Sequence, residues 1–311
     1  MSVANTDRSY YVIFNERSGT AEAIGLTADA LEAHFTAAGL DAVVDARGDV
    51  SMEQRAADAL ASPAQVIVAA GGDGTVTALA ETLAGTDKSL AILPLGTVNA
   101  LAKDLHIPLD IPQAIAALAE GEERLIDVGE VNGRIFLHKV VVGVIPAVAA
   151  GRERIRGRHD VGAKLAFLRY FARRLTRARR MALAITTSTG KSRIERVQAV
   201  AVACNAYDEG VGQFFTRSSL NQGRLTLYTL RHLNVGDVLR LTAEMFLGTW
   251  RDDEALSIES ADAVTIDSHK SLLKVMFDGE VETLRTPLEF SIRKQALSII
   301  VQGASVVREV A

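Results

Sequence analysis

Cysteine is almost absent: Cys204 is the single one among 311 residues. An internal disulfide and a cysteine-rich zinc site are therefore excluded, and the chain suits a reducing, cytoplasmic compartment. Long apolar runs are missing as well. None approaches the roughly 20 residues that span a bilayer, so any contact with lipid is expected to be peripheral. The opening residues, MSVANTDRSYYVIF, lack a basic region ahead of a long apolar one, which argues against a secretory signal. No internal repeat and no low-complexity linker stands out. Two phosphate-binding signatures are also lacking. No Walker A lysine follows a Gly-rich turn, and there is no G-x-G-x-x-G, so neither the P-loop nor the dinucleotide fingerprint has its residues.

What is present is the composition of an ordinary globular protein, 48% apolar and 23% charged. At this length one or two domains with a sizeable core are expected. The net charge of −4 hides an asymmetry. Residues 151–180 hold eleven of the 34 Lys and Arg but two of the 38 Asp and Glu. A basic block on an acidic body suggests an anionic partner. The block has helical spacing, with Leu165, Phe167, Leu168, Phe171 and Leu175 among Arg169, Arg173, Arg174 and Arg177. Two readings stand: a solvated helix packed by its apolar side, or a helix that adsorbs to anionic lipid headgroups. No fold motif supports a nucleic-acid partner.

The most informative stretch runs from Val66 to Lys103. Two short apolar runs, Val66 to Ala70 and Leu90 to Leu93, read as strands buried on both faces. Each ends in a glycine turn, Gly71-Gly72-Asp73-Gly74-Thr75 and Pro94-Leu95-Gly96-Thr97, and each turn opens a helical pattern. In a parallel sheet both turns fall at the carboxyl ends of the strands, where open α/β sheets bind ligands. Helix N-termini carry unpaired N–H groups and partial positive charge, so two of them together favour phosphate. Gly71, Gly72 and Gly74 let a backbone approach phosphate closely, Thr75 and Thr97 offer hydroxyls, and Asp73 would hold Mg²⁺ beside the phosphates. The plainer reading is a pair of tight turns, with Asp73 and Thr97 as helix caps and Asn99 facing solvent.

Around this stretch, Tyr10 to Phe14 and Asp41 to Ala46 read as strands. Helices are expected over 21–38, 51–60, 97–105, begun by Thr97, and 111–120. Strands alternating with helices predict a doubly wound parallel domain over 8–128. After Gly121 the pattern changes. Val131-Asn132-Gly133-Arg134 signals a hairpin, and short strands are expected at 135–144, 181–187, 195–204, 224–231, 263–267, 272–277, 281–284 and 296–302. A second, antiparallel β domain is therefore expected over 129–296, with the basic insertion at 151–180. Asp278-Gly279, taken alone, is another hairpin turn.

GGDGT at 71–75 and PLGTVNALAKDLHIP at 94–108 resemble the catalytic domain of the diacylglycerol kinase and sphingosine/ceramide kinase superfamily, more closely its bacterial lipid kinases. Phe277-Asp278-Gly279-Glu280 falls where that family carries a DGE motif, and Asn15 with Ser18-Gly19 resembles its N-terminal phosphate loop, with Glu16 in place of a proline. The resemblance implies an NAD kinase/phosphofructokinase-like first domain and a C-terminal β-sandwich, with residues from about 297 to the end returning to the first. It implies an ATP- and Mg²⁺-dependent lipid kinase, acting on a membrane lipid such as diacylglycerol or a sphingoid or ceramide lipid.

By the same resemblance Asn15, Gly71, Gly72, Asp73, Gly74, Thr75, Gly96, Thr97 and Asn99 bind the nucleotide. Asp278 accepts the alcohol's proton and Asp73 is catalytic and at the metal, although in the sphingosine kinases the aspartate matching Asp73 has the base role, which leaves two candidates for the base. Glu280 binds metal or orients Asp278. The chain departs from the family at Val98-Asn99-Ala100, where Gly-Asn-Asp is usual, at Ala78 for a common Glu, and at Gln222-Gly223 for Asp-Gly at a structural Mg²⁺ site. Two other readings follow: a catalytically weak lipid- or nucleotide-binding protein, and a kinase of a soluble substrate such as NAD. A homodimer is left open.

Overall fold

Two strands without an exposed residue, β3 (Val66–Gly71) and β4 (Ser89–Pro94), lie at the centre of the first unit. The computed structural model describes residues 8–143, 180–190, 192–211, 216–232 and 234–302. The chain divides into two compact units: one runs to Val128 and resumes at Lys294, and the other is Gly129–Arg293.

In the first unit, β1 (Ser9–Phe14) pairs in parallel with β2 (Asp41–Asp45) on one side and β3 on the other. β4 pairs in parallel with β3, and the last residues of β16 (Leu288–Val301) pair in parallel with β4 through Ser298 and Ile299. The order β2-β1-β3-β4 reverses direction between β1 and β3. That reversal is the switch point at which doubly wound sheets open a crevice beyond the strand ends. Helix α4 (Asp73–Leu83) explains why the sheet is dry on one side: Val76, Leu79, Ala80 and Leu83 recur at helical spacing and are all buried. Each of the larger ones contributes about 1.5–3 kcal/mol by leaving water.

The remaining helices of this unit are α1 (Gly19–Ile24), α2 (Ala28–Ala37), α3 (Met52–Ala61), α5 (Ala100–Asp104) and α6 (Ile111–Ala119). The single helix expected over 21–38 is two. Gly25 closes α1 in the left-handed region at φ 64°, and Thr27 caps α2 by accepting the N–H of Ala30. Ser51 and Asp110 cap α3 and α6 in the same way, with Pro112 in the first turn of α6.

The second unit is built from antiparallel strands. One sheet runs β12 (Leu256–Ala261), β11 (Leu225–Leu230), β10 (Ala199–Cys204), β7 (Lys139–Gly143), β14 (Leu272–Phe277) and β15 (Glu280–Arg285). In the other, β13 (Ala263–Asp267) lies between the first half of β16 and β8 (Met181–Thr187), and β8 pairs with β9 (Ser192–Val197). The Asn132-Gly133 turn joins β5 (Glu122–Val131) to β6 (Arg134–Phe136), with φ of 49° and 82° as a two-residue hairpin requires. Inward residues of both sheets share one core, including Val140, Val142, Leu183, Ile185, Val200, Leu225, Ile266, Val275 and Phe290. Phe136 sits edge-on to Phe277 and Phe290 at 6.3 and 6.1 Å, and its ring occupies the place a Cβ on Gly129 would take. This is the sandwich arrangement.

Several features depart from the strand list. The stretch 135–144 divides into β6 and β7 at Leu137-His138, and the strand expected at 296–302 is the end of β16, which begins at Leu288. Helix α7 (Val235–Leu247) follows β11, started by an Asn234–Asp237 capping box and stopped by Gly248 at φ 74°. β12 was not expected, and the stretch 195–204 divides into β9 and β10 at Gln198. The basic segment expected to be helical lies, but for Arg180, outside the described residues. Among the described residues no helix is long and apolar enough to cross a membrane.

Candidate active site

Three chain turns meet at the carboxyl ends of β1, β3 and β4. After β1, Asn15 donates its backbone N–H to Ala70 O at 2.9 Å, and its side-chain oxygen accepts the N–H of Arg17 at 3.2 Å. Thr20 then donates its N–H to Leu95 O at 2.9 Å and its hydroxyl to Gly96 O at 3.1 Å. Leu95 in turn donates to Gly71 O at 3.0 Å. The turns are therefore stitched to one another by main-chain bonds.

Glycine is required where they touch. A Cβ on Gly96 would lie 2.6 Å from Gly72 Cα, and one on Gly71 would strike the Thr75 hydroxyl at 2.5 Å. Gly19 faces Thr97, whose hydroxyl would stand 3.0 Å from an added Cβ. Ser18, between Asn15 and Gly19, is 6% exposed, and its hydroxyl has no protein hydrogen-bond partner. A buried polar atom left without a partner in such a loop fits a ligand's oxygen.

Asp73 bridges the two glycine turns. Its carboxylate accepts the N–H of Asn99 at 3.0 Å and of Ala100 at 2.6 Å. It thus caps the helix after the second turn while standing in the first turn of its own helix, α4. Each oxygen retains a lone pair, so the carboxylate can still reach a metal. Asn99, rather than Thr97, is the N-cap of α5. It takes the left-handed region at φ 52°. Its amide folds back on the turn, accepting from Gly96 N at 2.9 Å and donating to Gly96 O at 2.8 Å. At 9% exposure it does not face solvent, and Thr97 is the exposed one of the pair. The N-cap of α4 is Gly72, with Gly74 exposed in the first turn and Thr75 buried beneath it.

Glycines in close approach, the first turn of α4 and the orphan Ser18 hydroxyl fit a polyphosphate, whereas the N–H groups of Asn99 and Ala100 that open α5 are taken by Asp73. For a cation they offer one carboxylate, Asp73. Among the described residues no three His, Cys, Asp or Glu side chains converge for a metal.

In the second unit, Asp278 and Gly279 form the two-residue turn between β14 and β15, with φ of 45° and 103°. The Asp278 carboxylate points back at the segment before β7. It accepts the N–H of Leu137 at 2.6 Å and those of His138 and Lys139 at 2.9 Å. Burial pushes this carboxyl above the usual carboxylate range, opposed by the three N–H bonds and by the charge of Arg217. Glu280, the first residue of β15, is exposed. The hairpin expected at Asp278-Gly279 is present.

Two neighbours were not legible. Arg217 is 1% exposed and donates to Leu137 O at 2.7 Å, Cys204 O at 2.8 Å and the His138 ring at 3.0 Å. Burial, with Arg217 and Lys139 beside it, holds His138 well below the usual histidine range, so the ring is neutral. Neither residue sits in a motif, and a lone Arg in TRSS carries no signal of burial. Gln222 donates its backbone N–H to Asn205 Oδ1 at 3.1 Å, and its side-chain Oε1 accepts the N–H of Ala206 at 3.4 Å.

The fold defines a two-part protein, an α/β unit with glycine turns stitched together at its strand ends and an antiparallel β-sandwich. Residues 9–131 match the diacylglycerol kinase catalytic domain, and residues 139–301 match the YegS C-terminal NAD kinase beta sandwich-like domain. The chain belongs to this family, diacylglycerol kinase-type proteins with a YegS-type sandwich.

A Pseudomonas aeruginosa protein named probable lipid kinase YegS-like is 47% identical over 95 residues, 30% of this chain and 31% of that one. The match thus spans about a third of that relative's length. A Bacillus subtilis diacylglycerol kinase is 27% identical over 224 residues, 69% of this chain and 71% of its own. A crystal structure of a diacylglycerol kinase from Bacillus anthracis shares the fold, with a TM-score of 0.67 at 18% identity over 96% of this chain and 98% of that one.

Proposed function

We propose that the protein transfers the γ-phosphoryl group of ATP, as its Mg²⁺ complex, to the hydroxyl of a membrane lipid such as diacylglycerol or a sphingoid or ceramide lipid. The observation that carries this reading is the convergence of the Asn15–Gly19, Gly71–Gly74 and Gly96–Asn99 turns, the first of which buries an unpartnered Ser18 hydroxyl. The names of its relatives support the lipid as acceptor.

Bound Mg²⁺ would neutralise the charge that spreads over the phosphoryl oxygens in a loose transition state. The chain's own residues supply the rest. Gly72, Gly74 and Gly96 admit the phosphates to backbone N–H groups, Thr97 and Ser18 add hydroxyl donors, and Asp73 offers its free lone pairs to the cation. Because Asp73 also caps α5, the site is pre-shaped and little reorganisation is needed on binding. Asp278 accepts the alcohol proton. A carboxyl raised by burial is the better base near neutral pH, and three backbone donors fix its orientation. The basic residues 151–180 would draw the protein to the anionic surface where such lipids lie.

The test is incubation with γ-labelled ATP, Mg²⁺ and mixed micelles of diacylglycerol, ceramide, sphingosine and phosphatidylglycerol. Labelled lipid in at least one preparation is expected. Label appearing only on NAD or a sugar phosphate would replace this reading by the soluble-substrate one.

A further inference from the structure

We infer that Arg217 is a positioning residue for Asp278, acting through the backbone of residues 137–139; the inference rests on the reading of Asp278 as the base. Two sets of bonds meet on this short segment. From one side the Asp278 carboxylate receives the N–H groups of Leu137, His138 and Lys139 at 2.6, 2.9 and 2.9 Å. From the other, Arg217 donates to the carbonyl of Leu137 at 2.7 Å and to the ring of His138 at 3.0 Å. The Leu137 residue therefore gives its N–H to the acid and its carbonyl oxygen to the guanidinium.

The segment needs such a brace. Leu137 and His138 lie ahead of β7, whose ladder to β10 begins at the Lys139–Ala203 pair. Besides the bonds to Asp278, they are held by Arg217 and by the bond from Cys204 N to His138 O at 2.9 Å. Arg217 is anchored in turn by Cys204 O at 2.8 Å, so it ties the segment to the end of β10. A planar guanidinium reaches three neutral acceptors at once from fixed directions, which an ammonium cannot copy. Arg217 is also the largest side chain in the protein, among the described residues, with almost no exposure. Burying such a charge is costly unless its bonds are needed.

The experiment is a double-mutant cycle on the full-length chain, Arg217→Met and Asp278→Asn singly and together. It is assayed with ATP and the same lipid micelles and paired with amide hydrogen exchange. If Arg217 acts through Asp278, Arg217→Met lowers kcat by at least tenfold and leaves KM for ATP within about twofold. It then adds little to the loss already caused by Asp278→Asn, because residues that act as a unit are not additive. Exchange protection at residues 137–139 falls while that of β3 and β4 is unchanged. Arg217→Lys, which keeps the charge and loses the fork, gives the same pattern more mildly and serves if the Met variant does not fold. Independent, additive losses, or unchanged protection at 137–139, would overturn the inference and leave the kinase reading standing. An Asp278→Asn enzyme with full activity would remove the base reading and this inference with it.

Discussion

The carboxylate of Asp73, in the first turn of α4, accepts the N–H of Ala100 at 2.6 Å, where α5 begins. One acidic side chain thus joins two glycine turns through a residue 27 positions further along the chain, and it does so as a cap besides any role at a cation. Asp73→Ala should therefore damage both fold and chemistry. Loss of a cap costs about 0.5–2 kcal/mol, so a melting point lower by a few degrees is expected, together with near-complete loss of phosphoryl transfer. Calorimetry and the labelled-ATP assay measure the two effects separately. An active, destabilised variant would reduce Asp73 to a cap.

Gly96 has no room for a methyl group. Its Cβ would stand 2.6 Å from Gly72 Cα and 2.7 Å from Asn99 Oδ1, so one turn must move. Overpacking of this kind costs about 1–3 kcal/mol. For Gly96→Ala we expect a rise in KM for ATP of tenfold or more, alongside lowered stability in urea unfolding. An unaltered KM would show that the turn does not face the nucleotide.

Ser18 separates binding from stability in the opposite sense. Its hydroxyl is buried without a protein partner, and such groups cost folding free energy. Ser18→Ala should leave stability equal or raise it by up to about 1 kcal/mol, yet weaken ATP binding by isothermal titration. Unchanged affinity would assign the hydroxyl no ligand.

Acid stability rests partly on Asp45 at the end of β2. Burial pushes its carboxyl up. The side-chain and backbone N–H groups of Arg47 and the charge of Arg55 outweigh that and hold it at about 2. Its folded value lies below the usual 3.8, so its contribution is present above about pH 4. It is lost as pH falls from there through about 2. The contribution is about 2 kcal/mol. Asp45→Asn should be less stable than the parent at pH 7, with the difference closing toward pH 2 in denaturant titrations. A constant difference over that range would contradict the assignment.

Much of this was legible because period and turn chemistry agree. The buried runs at β3 and β4, each ended by a glycine turn, were marked by short apolar stretches with a breaker at the end. Asn132-Gly133 announced its hairpin in the same local way. The break at Gly25 inside an Ala-rich stretch was lost to the strong helical pattern on both sides. The capping of α5 by Asn99 and Asp73 went unseen because the partners sit in different turns. No local pattern reports a bond between Asp73 and Ala100. Arg217 was missed for a related reason: its burial depends on the ends of β7 and β10 meeting, which is a property of the sheet and not of the residues around it.

The most direct test of the central claim compares the parent chain with Asp278→Asn in the labelled-ATP assay over the lipid micelles, with ATP binding measured on both. The account predicts lipid phosphorylation by the parent, a fall of about 10²–10⁴-fold in kcat for the variant, and equal affinity for ATP. Equal turnover by the two proteins, or no labelled lipid from the parent with any acceptor, would contradict it.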